Sequence, residues 1–273
     1  MNPMIWSNPG RQGPVTTMTR KTLHSILILL FTCFYVQAAE ISRLSYSHGG
    51  IVRGDTTRQI IHLVFTGHEF SDGGSHIQTT LRKHHVPAHF FFTGDFYREK
   101  DNYRLIKRLL RDGHYLGAHS DRHLLYATWE DRDSLLVDKY TFTSDLKANY
   151  AEMKRFGIEY QDADLFMPPY EWYNQRITEW TEELGLTLIN FSPGTRSNAD
   201  YTWPSMNERY IDSQQIYQSI LEYEAKSDHG LNGFFLLIHI GTDPRRTDKF
   251  YLYLDELILE LQSRGYSFTL FQP

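Results

Sequence analysis

The stretch that decides the fold is AHFFFTGDFYREKDNYRLIKRLLRDGHYLGAH, residues 88–119. It begins with AHFFFTG at 88–94, a short apolar run of the kind that forms a buried strand. NYRLIKRLLRDG at 102–113 follows with helical spacing and stops at a glycine, and HYLGAH at 114–119 is a second strand-like run. Strand, helix and strand in this order predict a parallel βαβ unit.

The same alternation continues on both sides of this unit. Further strands are predicted at 60–65, 164–170, 186–191, 233–240 and 266–271. Further helices are predicted at 74–86, 133–157, 174–185, 212–227 and 248–265. Seven strands interleaved with six helices predict an α/β protein with a parallel sheet or barrel.

The composition is that of a folded protein rather than a disordered or fibrous one. Hydrophobic residues make up 41% of the chain and charged residues 22%, with a formal net charge of −5. No basic run or stripe is present, which argues against a nucleic-acid partner.

The N-terminal residues have the pattern of a secretion signal. Arg20 and Lys21 precede the apolar run ILILLFTCFYV at 26–36, and the small residues of VQAAE place a cleavage site near Ala38 or Ala39. The apolar run is short for a membrane span, and no later run of about 18 apolar residues follows. We therefore expect a secreted or periplasmic protein without a transmembrane anchor after cleavage.

Three segments follow from these patterns. Residues 1–39 are an N-terminal extension and signal peptide, 40–57 a lead-in segment, and 58–273 a single barrel domain. Cys33, the only cysteine, lies in the signal, so the mature chain has no disulfide. A lipoprotein anchored through Cys33 ranks second, because Thr32 before it is bulkier than the usual small residue.

Two histidines four residues apart, His119 and His123, follow the strand at 114–119. If this turn is helical, both rings lie on one face and reach one point. Neutral imidazoles are common zinc ligands, although such a pair also occurs as ordinary surface or core histidines.

Groups suited to metal binding or proton transfer follow other predicted strands as well. In parallel α/β folds such groups meet at the carboxyl ends of the strands. The residues at these ends are Thr66, His68, Glu69, Asp72, Tyr170, Glu171, Asn198, Asp200 and His239.

The succession of HSDRH, PPY and LLIH after these strands resembles the polysaccharide deacetylases of carbohydrate esterase family 4, over residues 58–273. HSDRH fits the H-[ST]-x-x-H metal motif of that family residue for residue. The resemblance implies a distorted (β/α)7 barrel and a secreted metalloenzyme that removes N- or O-acetyl groups from a glycan. It also implies a divalent metal at His119 and His123, foremost zinc, with cobalt, nickel or manganese as alternatives.

Two motifs depart from the family. The first, T-F-D-D, supplies a base and a metal ligand, but here reads VFTGHE, with Gly67 or His68 at the ligand position. We expect His68 as the third ligand, with Glu69 and Asp72 as alternatives, and Glu69 as the base. The third motif, R-x-P-[YF], reads MPPY, so Met167 replaces the arginine that pairs with the missing aspartate.

The remaining roles are also implied by the resemblance. His239 is the expected proton donor to the leaving group, tuned by Asp200, and the backbone N–H of Tyr170 faces the oxyanion. Trp172 and Tyr173 fit either a sugar groove or packing at a helix start. The expected substrate-binding residues are Tyr170, Glu171, Trp172 and Tyr173.

The leading hypothesis is thus a monomeric metal-dependent glycan deacetylase with a modified first motif. One alternative is a catalytically silent glycan-binding barrel. Another is a glycoside hydrolase using Glu69 and Glu171, which needs the carboxyl groups about 5–10 Å apart, or another esterase. A serine esterase is unsupported, because no G-x-S-x-G motif is present.

Overall fold

The structure is a computed structural model that describes residues 43–273. The predicted signal segment, its cleavage site near Ala38 or Ala39 and Cys33 lie outside the described residues. Residues 43–273 form one compact unit, to which 43–57 of the predicted lead-in contribute two strands.

A twisted sheet of mostly parallel strands forms the centre of this unit. Its strands are β1 (Ser45–Ser47), β2 (Gly50–Arg53), β3 (Ile60–Gly67), β4 (His89–Phe92), β5 (Tyr115–Ala118), β6 (Leu165–Phe166), β7 (Thr187–Leu188), β8 (Phe234–His239) and β9 (Ser267–Phe268). The order is β1-β2-β8-β3-β4-β5-β6-β7, with β9 paired to β3. Strands β3 to β8 pair in parallel, and β2 runs antiparallel to β8.

Strand β2, next to one edge of this sheet, meets the chain that follows β7 at the other edge. Ile51 of β2 forms a parallel bridge with Ile189, directly after β7, and the amide of Asn190 donates to the carbonyl of Ile51 at 2.8 Å. The sheet therefore curls onto itself as a distorted barrel, which confirms the predicted fold class. All seven predicted strands are present, whereas β1 and β2 were not predicted.

Helices cover the outside of the barrel. They are α1 (Gly74–His84), α2 (Gly94–Arg98), α3 (Tyr103–Arg111), α4 (Lys139–Lys154), α5 (Gln175–Glu183), α6 (Ser213–Lys226) and α7 (Leu254–Ser263). The six predicted helices are confirmed, and the short α2 is additional. Helix α4 begins at Lys139 rather than at 133, because Asp138 caps it by accepting the amide of Thr141.

The barrel strands are buried on both faces, as their unbroken apolar runs predict. In β4, Phe90 and Phe92 face the helices while Phe91 points into the barrel, since side chains alternate along a strand. Phe91 packs there with Val64 and Met167. The interior is therefore filled by apolar side chains below the carboxyl ends of the strands. No helix within residues 43–273 is long and apolar enough to cross a membrane.

Candidate active site

A cavity of about 610 Å³ opens at the carboxyl ends of the strands, above the apolar filling of the barrel. It collects residues from the five strand ends that the sequence had singled out. The predicted site residues that line it are His68, Glu69, His119, His123, Tyr170, Glu171 and His239.

The loop after β5 carries the histidine pair and is not helical, contrary to the premise of the sequence argument. Ser120 and His123 have left-handed φ values of 71° and 54°. These reversals, rather than a helical turn, bring the rings of His119 and His123 to a centroid distance of 5.1 Å. The i and i+4 positions converge, but by a different local geometry.

Asp145 of α4 holds this loop in shape. Its carboxylate accepts the hydroxyl of Ser120 at 2.6 Å and the amides of Asp121 and Arg122 at 2.9 and 3.1 Å. Asp121, the acid between the histidines, instead pairs with Arg98 at 2.7 Å. Asp121 therefore supports the loop, and its carboxylate is already engaged.

His119 is oriented by its own hydrogen bond. Its Nδ1 donates to the carbonyl of Met167 at 2.8 Å, which leaves the lone pair on Nε2. Burial lowers the pKa of His119 to about 3. Burial and the neighbouring imidazoles lower the pKa of His123 to about 2. Both rings are thus neutral, the form that binds a metal ion.

His68 contacts His123, but the three histidines do not converge on one point. The ring of His68 stacks on that of His123, with centroids 4.5 Å apart and planes only 9° apart, and Nδ1 lies 3.2 Å from the hydroxyl of Thr93. Across residues 43–273, no group of three or more His, Cys, Asp or Glu side chains is arranged to hold a metal ion.

The other expected third ligands are differently placed. Glu69 is exposed at the cavity wall. Asp72 accepts the amide of Thr242 and the hydroxyl of Tyr251, at 2.8 and 2.9 Å, and pairs with Lys249 at 2.9 Å. Asp72 therefore braces the loop after β8 and does not line the cavity.

The side chains around the histidine loop are of the chemical types that bind a divalent metal. Imidazole nitrogens suit zinc, copper, nickel and iron, and a metal-binding histidine commonly donates its second ring N–H to a backbone carbonyl. His119 makes this second hydrogen bond, to the carbonyl of Met167. His119 and His123 are accordingly the residues that would hold such an ion, and His68 lies beside them.

His239, at the end of β8, forms a tight pair with Asp200. Nδ1 of His239 lies 2.5 Å from Oδ1 of Asp200, and the amide of His239 donates to Oδ2 at 2.9 Å. Burial lowers the pKa of His239, but the charges of Asp200 and Glu171 outweigh this effect and hold it above its ordinary value. Protonated His239 is suited to act as an acid.

The end of β3 carries no carboxylate. Thr66 is 2% exposed, and its hydroxyl is buried without a hydrogen-bond partner. At Gly67, an added Cβ would lie 2.8–3.0 Å from side-chain atoms of Ile240, Phe92 and Phe96. The missing aspartate cannot occupy the Gly67 position without movement of these three side chains.

The PPYE segment after β6 has an unusual backbone. Tyr170 and Glu171 have consecutive left-handed φ values of 59° and 54°, which non-glycine residues rarely adopt. The amide of Glu171 donates to the carbonyl of Pro168 at 3.1 Å, and its carbonyl accepts the side chain of Asn190 at 2.9 Å. Burial, reinforced by the charge of Asp200, raises the pKa of Glu171 to about 7.

Aromatic side chains extend the wall beyond Tyr170, whose ring lies 4.3 Å from that of His123. Trp129 is 53% exposed, and its ring is 5.7 Å from Tyr170 and 5.4 Å from Trp172. Trp172 is covered by Arg132 at 3.5 Å. Trp172 thus supports the exposed Trp129 rather than lining the cavity itself.

Tyr173, the fourth expected substrate-binding residue, is not brought to the cavity. It is buried, and its hydroxyl donates to the carbonyl of Ser47 at 2.8 Å. Its position therefore fits packing at the start of α5. The cavity instead includes aromatic and basic residues that sequence reasoning missed because no recognisable motif marks them: Trp129, Tyr201, Trp203 and Arg209.

The barrel and the polar cavity at its carboxyl end are those of the carbohydrate esterase family 4 fold. The chain belongs to the polysaccharide deacetylase family, a family of hydrolases whose sequence model matches residues 53–189. It is 24% identical over 235 residues to the peptidoglycan-N-acetylmuramic acid deacetylase PdaA of Bacillus subtilis, covering 84% of this chain and 76% of PdaA. The solved PdaA structure gives a TM-score of 0.62 at 21% identity, covering 85% of this chain and 86% of that one.

Two further structures are similar in fold. BA3943, a CE4 family pseudoenzyme from Bacillus anthracis, gives a TM-score of 0.60 at 18% identity, covering 82% of this chain and 67% of that one. A family 4 acetyl xylan esterase from Clostridium thermocellum, solved in complex with a cobalt ion, gives 0.58 at 19% identity, covering 77% and 87%. An active esterase and a pseudoenzyme therefore share this fold, which by itself does not decide activity.

Proposed function

We propose that this protein is a secreted, metal-dependent hydrolase that removes acetyl groups from a glycan. One observation carries the proposal: neutral His119 and His123 share a cavity with the His239–Asp200 pair. Transfer of an acetyl group to water requires a Lewis acid and a proton donor, and this cavity would offer a site for each.

His119 and His123, with His68 as third ligand, would hold a divalent ion, foremost zinc, that supplies Lewis-acid polarisation of the acetyl carbonyl. His239 gives its proton to the nitrogen or oxygen that leaves the acetyl carbon. Asp200 holds the ring of His239 in place and stabilises its charged form. The backbone N–H of Tyr170 is the proposed donor to the oxyanion.

The exposed aromatic wall suits a sugar chain. The rings of Trp129 and Tyr170 are 53% and 45% exposed, and they flank the histidines at the cavity. Flat apolar rings bury sugar C–H faces, while the hydroxyl of Tyr170 remains available for hydrogen bonding. Because relatives such as PdaA act on peptidoglycan, its N-acetylated sugars are the first substrates to test.

A catalytically silent, glycan-binding barrel is the second candidate. The absence of a carboxylate on Thr66 and Gly67, at the end of β3, favours it, because the family places its base there. The stacked arrangement of His68 and His123 favours it as well. Under this candidate the aromatic wall binds glycan and no acetate is released.

The test is acetate release by the purified protein from peptidoglycan fragments, chitooligosaccharides and acetylated xylan, with and without a metal chelator. We expect acetate from at least one of these, and its loss with chelator. His239→Ala should lower the rate by about 10²- to 10⁴-fold, the usual range for a general acid.

His119→Ala should remove both activity and bound metal. Glycan binding by the wild type, measured by calorimetry, without acetate release from any substrate would instead establish the silent barrel. Release that is insensitive to chelator would contradict the metal-dependent chemistry.

A further inference from the structure

The site holds an acid but lacks a carboxylate where its family places the base. The carboxylates that line the cavity, within the part of the chain that the structure describes, are Glu69, Glu171 and Asp243. Asp243 is tied to Arg245, whose amide and guanidinium donate to it at 2.8 and 2.5 Å. The choice of base therefore falls between Glu69 and Glu171.

These two glutamates differ in how they are held. Glu69 is exposed and follows the end of β3 without a described hydrogen bond to its side chain. Glu171 is half-buried, and its backbone is fixed on both sides by Pro168 and Asn190. An exposed carboxylate on a free side chain is poorly positioned to remove a proton, whereas the fixed backbone and partial burial of Glu171 restrict where its side chain can lie.

The backbone of Glu171 also carries strain. A glutamate at φ 54° is less stable there than glycine, and it directly follows Tyr170 at φ 59°. Strained residues of this kind cluster at functional sites, where the side chain compensates for the cost. Here the side chain of Glu171 lines the cavity.

The electrostatic surroundings of Glu171 suit a proton acceptor in the cavity. The groups that act on its carboxyl are His239 of β8 and Asp200 of the short helix Ser197–Tyr201. Burial and Asp200 raise the pKa of Glu171 to about 7, while His239 opposes them. A carboxylate with a pKa near the working pH is an efficient proton acceptor.

We propose that Glu171 is the general base of the reaction, in place of the carboxylate missing from β3. Glu171 takes a proton from the attacking water as the water oxygen bonds to the acetyl carbon. The bond from that carbon to the leaving nitrogen or oxygen then breaks, and the leaving atom takes the proton of His239. Acetic acid and a free amine or hydroxyl result, and the proton on Glu171 returns to His239. Acetic acid then releases its own proton to water to give acetate.

The inference rests on the proposed function, and Glu171→Gly tests it with little risk to folding. Glycine relieves the left-handed backbone at this position, so we expect the melting temperature of the variant to stay level or rise. Acetate release should nevertheless fall by at least about 100-fold. Formate, a small carboxylate that fits the vacated space, should restore part of the activity.

His85→Gly is the matched control. His85 ends α1 at φ 55°, is exposed, and does not line the cavity. Its replacement relieves the same kind of strain and should leave acetate release unchanged. Glu171→Gln adds a test at nearly constant side-chain shape, with kcat lowered by at least about 100-fold and KM little changed.

Three results would overturn the proposal. If Glu171→Gln or Glu171→Gly keeps kcat within about tenfold of the wild type, Glu171 is not the base. If Glu69→Gln is the variant that loses kcat, Glu69 has that role. If the wild type releases no acetate at all, the proposed function fails, and this inference fails with it. The first two results would overturn this inference alone.

Discussion

The ends of β5 and β3, which are separated in the sheet only by β4, are built in opposite ways. After β5, the histidine loop is held by three hydrogen bonds to Asp145 and by the ring contact of His119 with Met167. At the end of β3, Thr66 has an unpaired hydroxyl and Gly67 has no room for a side chain. One strand end carries its family motif together with side chains that hold it, and the other departs from the family motif.

The difference shows that a catalytic site can change in one part while another part stays fixed. The hydrogen bonds of Asp145 tie the histidine loop to α4, so a change in the loop disturbs the core. No comparable network ties the first motif to its surroundings. A carboxylate can therefore be replaced from a neighbouring segment, and Glu171 after β6 is positioned for that.

The largest effect is expected from Asp145→Ala. It leaves the hydroxyl of Ser120 and the amides of Asp121 and Arg122 without their acceptor, and we expect a loss of about 3 kcal/mol in the free energy of unfolding. Urea denaturation measures it, and acetate release should fall as the loop loses its shape. Asp145→Asn keeps one acceptor oxygen and should lose less. Equal stability of Asp145→Ala and the wild type would show that the loop does not depend on this residue.

Gly67→Ala tests whether the end of β3 is closed to a side chain. The new methyl lies within 2.8–3.0 Å of Ile240, Phe92 and Phe96, so overpacking should cost about 1–3 kcal/mol in unfolding free energy. Gly54→Ala, where the nearest atom is 3.2 Å away, is a milder control. Full stability of Gly67→Ala would show that the end of β3 can hold a side chain.

Asp200→Asn tests the His239–Asp200 pair through the pH dependence of the rate. The active form needs Glu171 ionised and His239 protonated, so the rate should rise with pH near 7 and fall above the raised pKa of His239. Asp200 raises both pKa values, so its neutralisation should move both limbs of the profile to lower pH. Arg246 is unchanged and continues to lower the pKa of His239. A profile that does not move would contradict the coupling of Asp200 to these groups.

Thr66→Val should have the smallest effect. The hydroxyl of Thr66 has no partner, so its replacement by a methyl group leaves no donor or acceptor unsatisfied. We expect the free energy of unfolding to change by less than about 1 kcal/mol. A loss above about 2 kcal/mol in a urea titration would show that the hydroxyl has a structural partner after all.

The barrel could be predicted because its signal is local and repeated. Each apolar run, such as 60–65 or 233–240, is short, unbroken and followed by a helical pattern, so strand and helix predictions agree along the chain. Strands β1 and β2 were missed because Gly50–Arg53 has only two apolar residues and its pairing with β8 is long-range. No local pattern reports such pairing.

The site was only partly predictable. The residues His119, His123 and His239 are carried by motifs and reach one cavity as expected. The burial of Tyr173 and the left-handed φ of Glu171 depend on tertiary contacts with Ser47 and Asn190, which are far away in sequence. The support of the histidine loop by Asp145 likewise joins segments that no spacing rule connects.

The most direct test of the account is the metal content of the purified protein, measured by elemental analysis beside His119→Ala and Glu171→Gly. We predict one divalent ion per chain in the wild type, its loss in His119→Ala, and its retention in Glu171→Gly, because Glu171 acts on the water and not as a ligand. Absence of stoichiometric metal from the wild type, even after incubation with zinc or cobalt, would contradict the assignment of the histidine loop as a metal site.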